Sequence, residues 1–365
     1  MNLPQYYSDY LALDTILNAQ HPVSFQPQHQ PAHDEMLFII IHQAYELWFK
    51  QLLFETESVI GIMQKPAIND NSPELQTVVH RINRVNTILK VLVQQVDIME
   101  TMTPMDFLDF RDLLRPASGF QSVQFKLLEA RLGLPFTQRH EQRYYTSSLR
   151  PEYKEKIEKA EHQPGLLQLL NKWLERIPFF SEPQLWVNFT TTFPNNLEAE
   201  SADNINNAPT LFWSEYRHRL LQSLSEVESS NLQAFDEIVM GVVAADNVRD
   251  CNLSPAACKA ALFIMLYRGY PLLQLPFQLI NAVLETDELL SSWRYRHMNM
   301  VHRMIGHRIG TGGSTGQHYL KGAADKHYIF KDFAMLTSFL IERRNLPLLT
   351  KKMENTLGFS GASIE

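Results

Sequence analysis

The chain of 365 residues holds a small set of side chains whose types and spacing could do chemistry. His42 lies four residues after Phe38, three before Tyr45 and seven before Phe49, so it shares the most aromatic face of its segment. His297 aligns at helical spacing with Trp293, Met300, Val301 and Met304. A neutral imidazole on an apolar face, with no second ligand three or four residues away, is the pattern of an axial haem ligand. It is equally the pattern of a core histidine satisfied by a neighbour, and spacing leaves both readings open. Arg111 sits four residues after Phe107 and three before Leu114. A guanidinium there is costly unless paired, either with a ligand carboxylate through two parallel bonds or in a core ion pair with Asp34 or Glu46.

Glycine sharpens the picture. There are only 14 in the chain, and four of them (Gly310, Gly312, Gly313 and Gly316) fall within seven residues, interleaved with Thr311, Ser314 and Thr315. The cluster matches neither the Walker A pattern nor the dinucleotide fingerprint. It reads as a loop that wraps an anionic group or closes over a ligand, or else as a plain connector. Arg294, Arg296, Arg303 and Arg308 nearby could neutralise ligand carboxylates or form an ordinary basic face. Several other chemistries lack their motifs: there is no H-E-x-x-H, C-x-x-C or G-x-S-x-G. A di-iron bundle needs two Glu-x-x-His pairs, and the only such pair, Glu215–His218, reads as a surface contact.

Helices must position these residues. Apolar residues make up 45% of the chain, glycine is scarce, and strand alternation is nowhere convincing. Residues 1–33 read as irregular, since Pro27 and Pro31 break any regular helix there. Asp34 is a good N-cap for a helix to about Met63, and a second helix covers roughly 74–100. Thr103-Pro104 signals another start, and Ser118-Gly119-Phe120-Gln121 fits a capping box before Val123. Residues 138–163 read as a charged, solvated helical arm, and 178–207 as a connection. Helices are expected again over Leu211–Ala245, from the Ser254-Pro255 cap to Tyr267, over Phe277–His307, and near 328–342.

The bulk properties narrow the class. A net charge of -7 with interspersed signs argues against a nucleic-acid binder. The longest apolar runs are far short of the ~20 residues that a membrane span needs, and no secretory signal is visible. Cys251 and Cys258 stand seven apart, in neither a metal nor a redox spacing. The expectation is a cytoplasmic protein with reduced thiols and no disulfide. The sequence predicts a single all-α, helical bundle-type domain over 1–365, with 1–33 as an arm and a candidate helical insertion at about 135–210.

Three ordered segments carry a resemblance to a known family. They are His33-Asp34-Glu35-Met36-Leu37-Phe38 through His42-Gln43-Ala44-Tyr45-Glu46-Leu47-Trp48-Phe49-Lys50, then Phe110-Arg111-Asp112 with Pro116-Ala117-Ser118-Gly119-Phe120-Gln121-Ser122, and Trp293-Arg294-Tyr295-Arg296-His297 through Gly310-Thr311-Gly312-Gly313-Ser314. Together they closely resemble the tryptophan 2,3-dioxygenase family, and the likeness spans most of the chain. The resemblance implies an all-α haem protein, a homotetramer with haem b, ferrous in the active form. It implies insertion of both atoms of O2 across the C2–C3 bond of L-tryptophan to give N-formylkynurenine. His297 corresponds to the axial iron ligand, and Ser118 to a serine near the haem. His42 corresponds to the histidine facing the indole N–H, with Phe38 packing the ring. Arg111 corresponds to the residue pairing the substrate carboxylate, and Thr311 to a loop contact with the amino acid's polar end. Tyr7, Tyr10 and Leu11 correspond to an arm that completes a neighbouring subunit's site. Phe107 stands where some bacterial members have tyrosine, which removes a polar contact from that side. The likeness is weakest over 135–210 and after Leu349. Competing readings are a haem-based O2 sensor, which leaves Arg111 and the glycine loop unexplained, and a related haem oxygenase acting on a modified indole.

Overall fold

The computed structural model describes residues 6–139, 149–176, 182–186, 189, 208–242, 251–308, 320–322, 324 and 326–358. Helices dominate, and no strand occurs among the described residues. The helices are α1 (Tyr7–Leu11), α2 (Leu13–Leu17), α3 (Asp34–Met63), α4 (Pro73–Met99), α5 (Pro104–Arg111), α6 (Val123–Leu132), α7 (Pro151–Glu161) and α8 (Leu166–Glu175). They continue as α9 (Ala208–Ser223), α10 (Ser229–Phe235), α11 (Pro255–Leu266), α12 (Pro271–Ile305), α13 (Lys331–Leu336) and α14 (Lys351–Leu357). None of them is long and apolar enough to cross a membrane among the described residues.

The chain forms two compact units. Unit 1 takes Met1–Glu55, Val85–Gln163 and Glu288–Tyr328; unit 2 takes Thr56–Arg84, Pro164–Asp287 and Ile329–Glu365. Unit 1 is built on the first part of α3, the second part of α4, α5 to α7 and the last part of α12. Its apolar centre joins Ile41, Met99, Met102, Phe110 and Met304. The entry to α3 is fixed by Glu35, whose carboxylate accepts from the Val23 and Ser24 amides at 2.8 Å each. In unit 2, α8 buries a Leu166, Leu167, Leu170 and Trp173 face, and α11 is buried almost all round. That all-round burial follows from its sequence, which is apolar on every side.

Several local expectations need correction. Residues 1–33 are not wholly irregular, since α1 and α2 form before the first proline barrier, with Ala12 in the left-handed region between them. The Ser118–Gln121 capping box closes only a 3-10 turn over Gly119–Gln121. Helix α6 has its own cap, Ser122, whose hydroxyl accepts from the Phe125 amide. Of residues 138–163, those described include α7, whose outer face is solvated as expected, while Arg139, Ile157 and Ala160 are buried. Glu215 is not on the surface either, being buried and held by Arg219 at 2.6 Å, one turn along α9. The expected helix over 211–245 is interrupted after Ser223 and resumes as α10, which runs into a π-helical turn over Asp236–Met240. Helix α12 starts at Pro271, earlier than periodicity suggested, and carries Pro276 inside it. The last predicted helix shortens to α13 followed by a 3-10 turn.

Candidate active site

The site is built in unit 1 from three helices whose aromatic faces meet. Trp293 on α12 lies edge-on to Phe49 of α3, with centroids 5.9 Å apart at 89°. It also packs on Phe125 of α6 at 4.9 Å. Polar bonds lock the same helices. The Tyr45 hydroxyl of α3 donates to the Leu92 carbonyl of α4 at 3.0 Å. The Gln124 amide of α6 donates to the Glu46 carbonyl and carboxylate of α3 at 2.8 and 2.9 Å. Arg296 of α12 bridges Asp97 of α4 (2.5 Å) and Glu100 just beyond its end (3.2 Å). Between these helices lies a cavity of about 270 Å³ whose wall includes Phe38, His42, Phe107, Arg111, Ser118 and His297. Six residues singled out from the sequence thus converge on one space.

Both histidines are neutral at pH 7. Burial, with a smaller push from the neighbouring His42, lowers the His297 pKa from 6.5 to about 4. The imidazole stacks on Trp293 with planes 3° apart, so its orientation is fixed. Among the described residues it has no hydrogen-bond partner, and its remaining exposed surface lines the cavity. Burial likewise pushes His42 below its ordinary value, against the Phe38 carbonyl bond and the Glu46 charge that raise it. Its Nδ1 stands 2.7 Å from the Phe38 carbonyl oxygen. A carbonyl only accepts, so Nδ1 carries the proton and Nε2 of the neutral ring is an acceptor. The Phe38 ring packs on His42 at 4.1 Å and on Phe107 at 5.8 Å.

The cavity wall also carries charged side chains, among them Glu46, Arg111, Lys126, Glu129 and Arg294. Arg111 ends α5 and is buried, with Asp112 at 4.0 Å. Lys126 of α6 is also buried on the wall, and burial lowers its ammonium pKa from 10.5 to about 8. Beside it stands Glu129, whose carboxylate accepts from Arg294 (2.7 Å), Arg139 (2.8 Å) and His327 Nδ1 (3.2 Å). Burial alone would raise the Glu129 pKa. The Arg294 charge, the His327 bond and Arg139 together outweigh it and hold the carboxyl well below its ordinary range.

The structure corrects part of the basic-face expectation. Arg294 is committed to Glu129 and the His327 carbonyl, and Arg296 to Asp97 and Glu100. Arg303 and Arg308 are exposed. The cavity's added cation is Lys126, which periodicity concealed because it stands in an apolar helical run. Glu129 and His327 were also missed, since their partners lie 165 and 198 residues apart in sequence. Tyr7 and Tyr10 are exposed and Leu11 partly so, and none of the three lines the cavity of its own chain. Thr311 and the glycine cluster lie outside the described residues.

Comparison with known proteins gives one consistent result. A family model described as tryptophan 2,3-dioxygenase matches residues 2–340. The chain is 43% identical over 361 residues to a tryptophan 2,3-dioxygenase of Bdellovibrio bacteriovorus, covering 98% of each chain. It is 42% identical over 356 residues to one of Xenopus laevis, covering 96% of this chain and 86% of the relative. It is 40% identical over 360 residues to one of Alteromonas mediterranea, covering 98% of each.

Proposed function

The chain belongs to the tryptophan 2,3-dioxygenase family, and from that premise we propose that the unit 1 cavity is where it cleaves L-tryptophan with O2 to N-formylkynurenine. The protein is an oxidoreductase of that family, and the sensor and altered-substrate readings draw no support from its relatives. One observation carries the placement. His42 presents an acceptor nitrogen to an aromatic cavity that also holds a buried guanidinium and a second neutral imidazole.

The family is haem-dependent, and the residues present fit that group. His297 is neutral and plane-locked, and with no hydrogen-bond partner among the described residues it keeps a ring nitrogen that could hold the haem iron. Lys126 offers a buried cation to the carboxylates that haem b carries, and Ser118 adds a hydroxyl to the same wall. When bound in the ferrous state, haem supplies the O2 activation that lets both oxygen atoms enter the C2–C3 bond.

The chain's own groups do the rest. Arg111 pairs the substrate carboxylate, and its burial strengthens that charge-assisted bond. His42 Nε2 accepts from the indole N–H, which fixes the ring's rotation in its plane. Phe38 and Phe107 bound the indole and exclude water from it. Held at both ends, the C2–C3 edge has one presentation, and orientation of this kind lowers a barrier by several kcal/mol. His42 thus positions the substrate and need not remove a proton. Thr311 is assigned to the substrate's ammonium end by position in the family motif. Tyr7, Tyr10 and Leu11 are read as completing a neighbour's cavity in a cytoplasmic homotetramer. Their exposure in the single chain supports this reading.

The test is direct. Reconstituted with haem and reduced, the chain should show a haem absorption band and convert L-tryptophan and O2 to N-formylkynurenine. Absence of the band would remove every haem reading. A band without product would leave the cofactor and reject the reaction. His297→Ala should lose the native band, with partial return on adding free imidazole.

A further inference from the structure

Unit 2 contains both cysteines of the chain, Cys251 and Cys258, and the proposed site uses neither. Their sequence spacing matches no redox motif, but the fold brings the two sulfurs to 3.8 Å. The cause is the way the chain enters α11. The Asp332 carboxylate accepts from the Asn252 and Leu253 amides at 2.7 and 3.0 Å. The Ser254 amide donates to the Asn171 side chain at 2.7 Å, while its hydroxyl caps α11 by accepting from Ala257. Leu253 is fully buried between these anchors. The turn is therefore pinned on both sides, and the first turns of α11 carry Cys258 back beneath Cys251.

The two thiols differ in access. Cys251 is half-buried and precedes the helix, whereas Cys258 is fully buried within it. Both sulfurs face the Leu253 carbonyl, at 3.4 and 3.9 Å. A reagent from solvent meets Cys251 first, and Cys251 is the one sulfur that can then reach Cys258. A disulfide bond is about 2.05 Å long, so the sulfurs must close by about 1.8 Å. Rotation of the non-helical Cys251 side chain supplies a movement of that order.

We propose that Cys251 and Cys258 form a redox-active dithiol that small disulfides of the glutathione class oxidise to an intrachain disulfide. The Cys251 thiol loses its proton and its sulfur attacks oxidised glutathione. The glutathione S–S bond breaks, one glutathione thiol leaves, and Cys251 holds the other in a mixed disulfide. Cys258 then loses its proton and attacks the Cys251 sulfur, releasing the second glutathione thiol. Two protein thiols are oxidised by two electrons, and one glutathione disulfide is reduced to two thiols.

The experiment uses the full-length, haem-loaded chain equilibrated with oxidised and reduced glutathione, quenched by alkylation and read by peptide mass. The expected product joins the Cys251 and Cys258 peptides within one chain, two hydrogens lighter, and dithiothreitol reverses it. Cys258→Ser should stop at a glutathione adduct on Cys251, and Cys251→Ser should leave Cys258 unmodified. A persistent Cys251 adduct in the unaltered chain would overturn the proposal. So would two alkylated thiols at ratios that fully oxidise a thioredoxin-class dithiol. The unaltered chain decides the outcome alone, so a serine variant that fails to fold leaves the result intact.

Discussion

His42 can do its work in only one protonation state. With Nδ1 committed to the Phe38 carbonyl, protonation would turn Nε2 from acceptor to donor and oppose the indole N–H. Burial keeps the group neutral by lowering its pKa below 6.5. Activity should therefore hold at neutral pH and fall on an acid limb below 6.5, once His42 takes up a proton. A pH profile of kcat/KM checks this, and His42→Gln, which keeps an acceptor but does not titrate, should flatten that limb. His42→Ala should raise KM by about five- to tenfold, the worth of roughly 1 kcal/mol of hydrogen bond. Abolished turnover with intact tryptophan affinity would instead assign His42 a chemical step. Arg111→Lys keeps the charge and loses the fork. A drop of about 10- to 100-fold in kcat/KM for tryptophan is expected, corresponding to about 1.5–3 kcal/mol. Tryptamine, which lacks the carboxylate, should be indifferent to the change. At this scale the sequence was most legible, because His42, Arg111 and His297 are polar residues on apolar faces and therefore stand out. Which ring nitrogen carries a proton was not legible, since that depends on one carbonyl's position.

Helix α6 shows what periodicity hides. Its sequence reads as an ordinary buried helix, yet it contributes Lys126 to the cavity and Glu129 to a buried charge cluster. Nothing local marks either residue, since Arg294 and His327 reach Glu129 from far along the chain. The starts of α3, α5 and α11 were readable from Asp34, Thr103-Pro104 and Ser254-Pro255, because caps act within four residues. Lys126 also sets a trade between stability and ligand binding. Its folded pKa lies near 8 against 10.5 when exposed, so below pH 8 the folded chain carries the full cost of a buried ammonium. That cost disappears as pH rises from 8 to 10.5, where the unfolded chain also loses its proton. Lys126→Met should therefore stabilise the haem-free protein at pH 7 by at most about 3 kcal/mol, at 1.36 kcal/mol per pKa unit. The gain should vanish near pH 10.5 in denaturant titrations. The same variant should bind haem more weakly, because the cation facing the haem carboxylates is gone. Glu129→Gln should act in the opposite sense, destabilising the chain by roughly 3–5 kcal/mol, since Arg294 and Arg139 would lose their shared counter-charge.

The surface of the single chain is unusually apolar along α3. Ile40, Leu47 and Phe54 are 48%, 56% and 70% exposed and recur every seven residues, which places them on one face of the helix. Tyr6, Tyr7 and Tyr10 of the arm are each more than 70% exposed. Exposed apolar faces of this kind mark association surfaces. Composition and periodicity gave no hint of them, because an apolar stripe reads the same whether it packs within one chain or against another. Two consequences follow if copies of the chain cover these surfaces. Leu47→Glu with Phe54→Glu should shift the sedimenting species to a smaller assembly while the far-ultraviolet helical signal is kept. The second concerns the arm alone. Removing residues 1–17 should lower tryptophan turnover and leave the haem band unchanged, because His297 and Lys126 belong to the remaining fold. If the arm acts across subunits, inactivity should be curable in mixed assemblies. Arm-less chains would be co-assembled with His297→Ala chains, which retain the arm but lose the iron ligand. Each kind alone should be nearly inactive. In the mixture, an intact arm from a His297→Ala chain can cover the haem-bearing cavity of an arm-less neighbour, so activity should return in proportion to mixed contacts. Activity no greater than the two separate preparations combined would place the arm on its own chain's cavity.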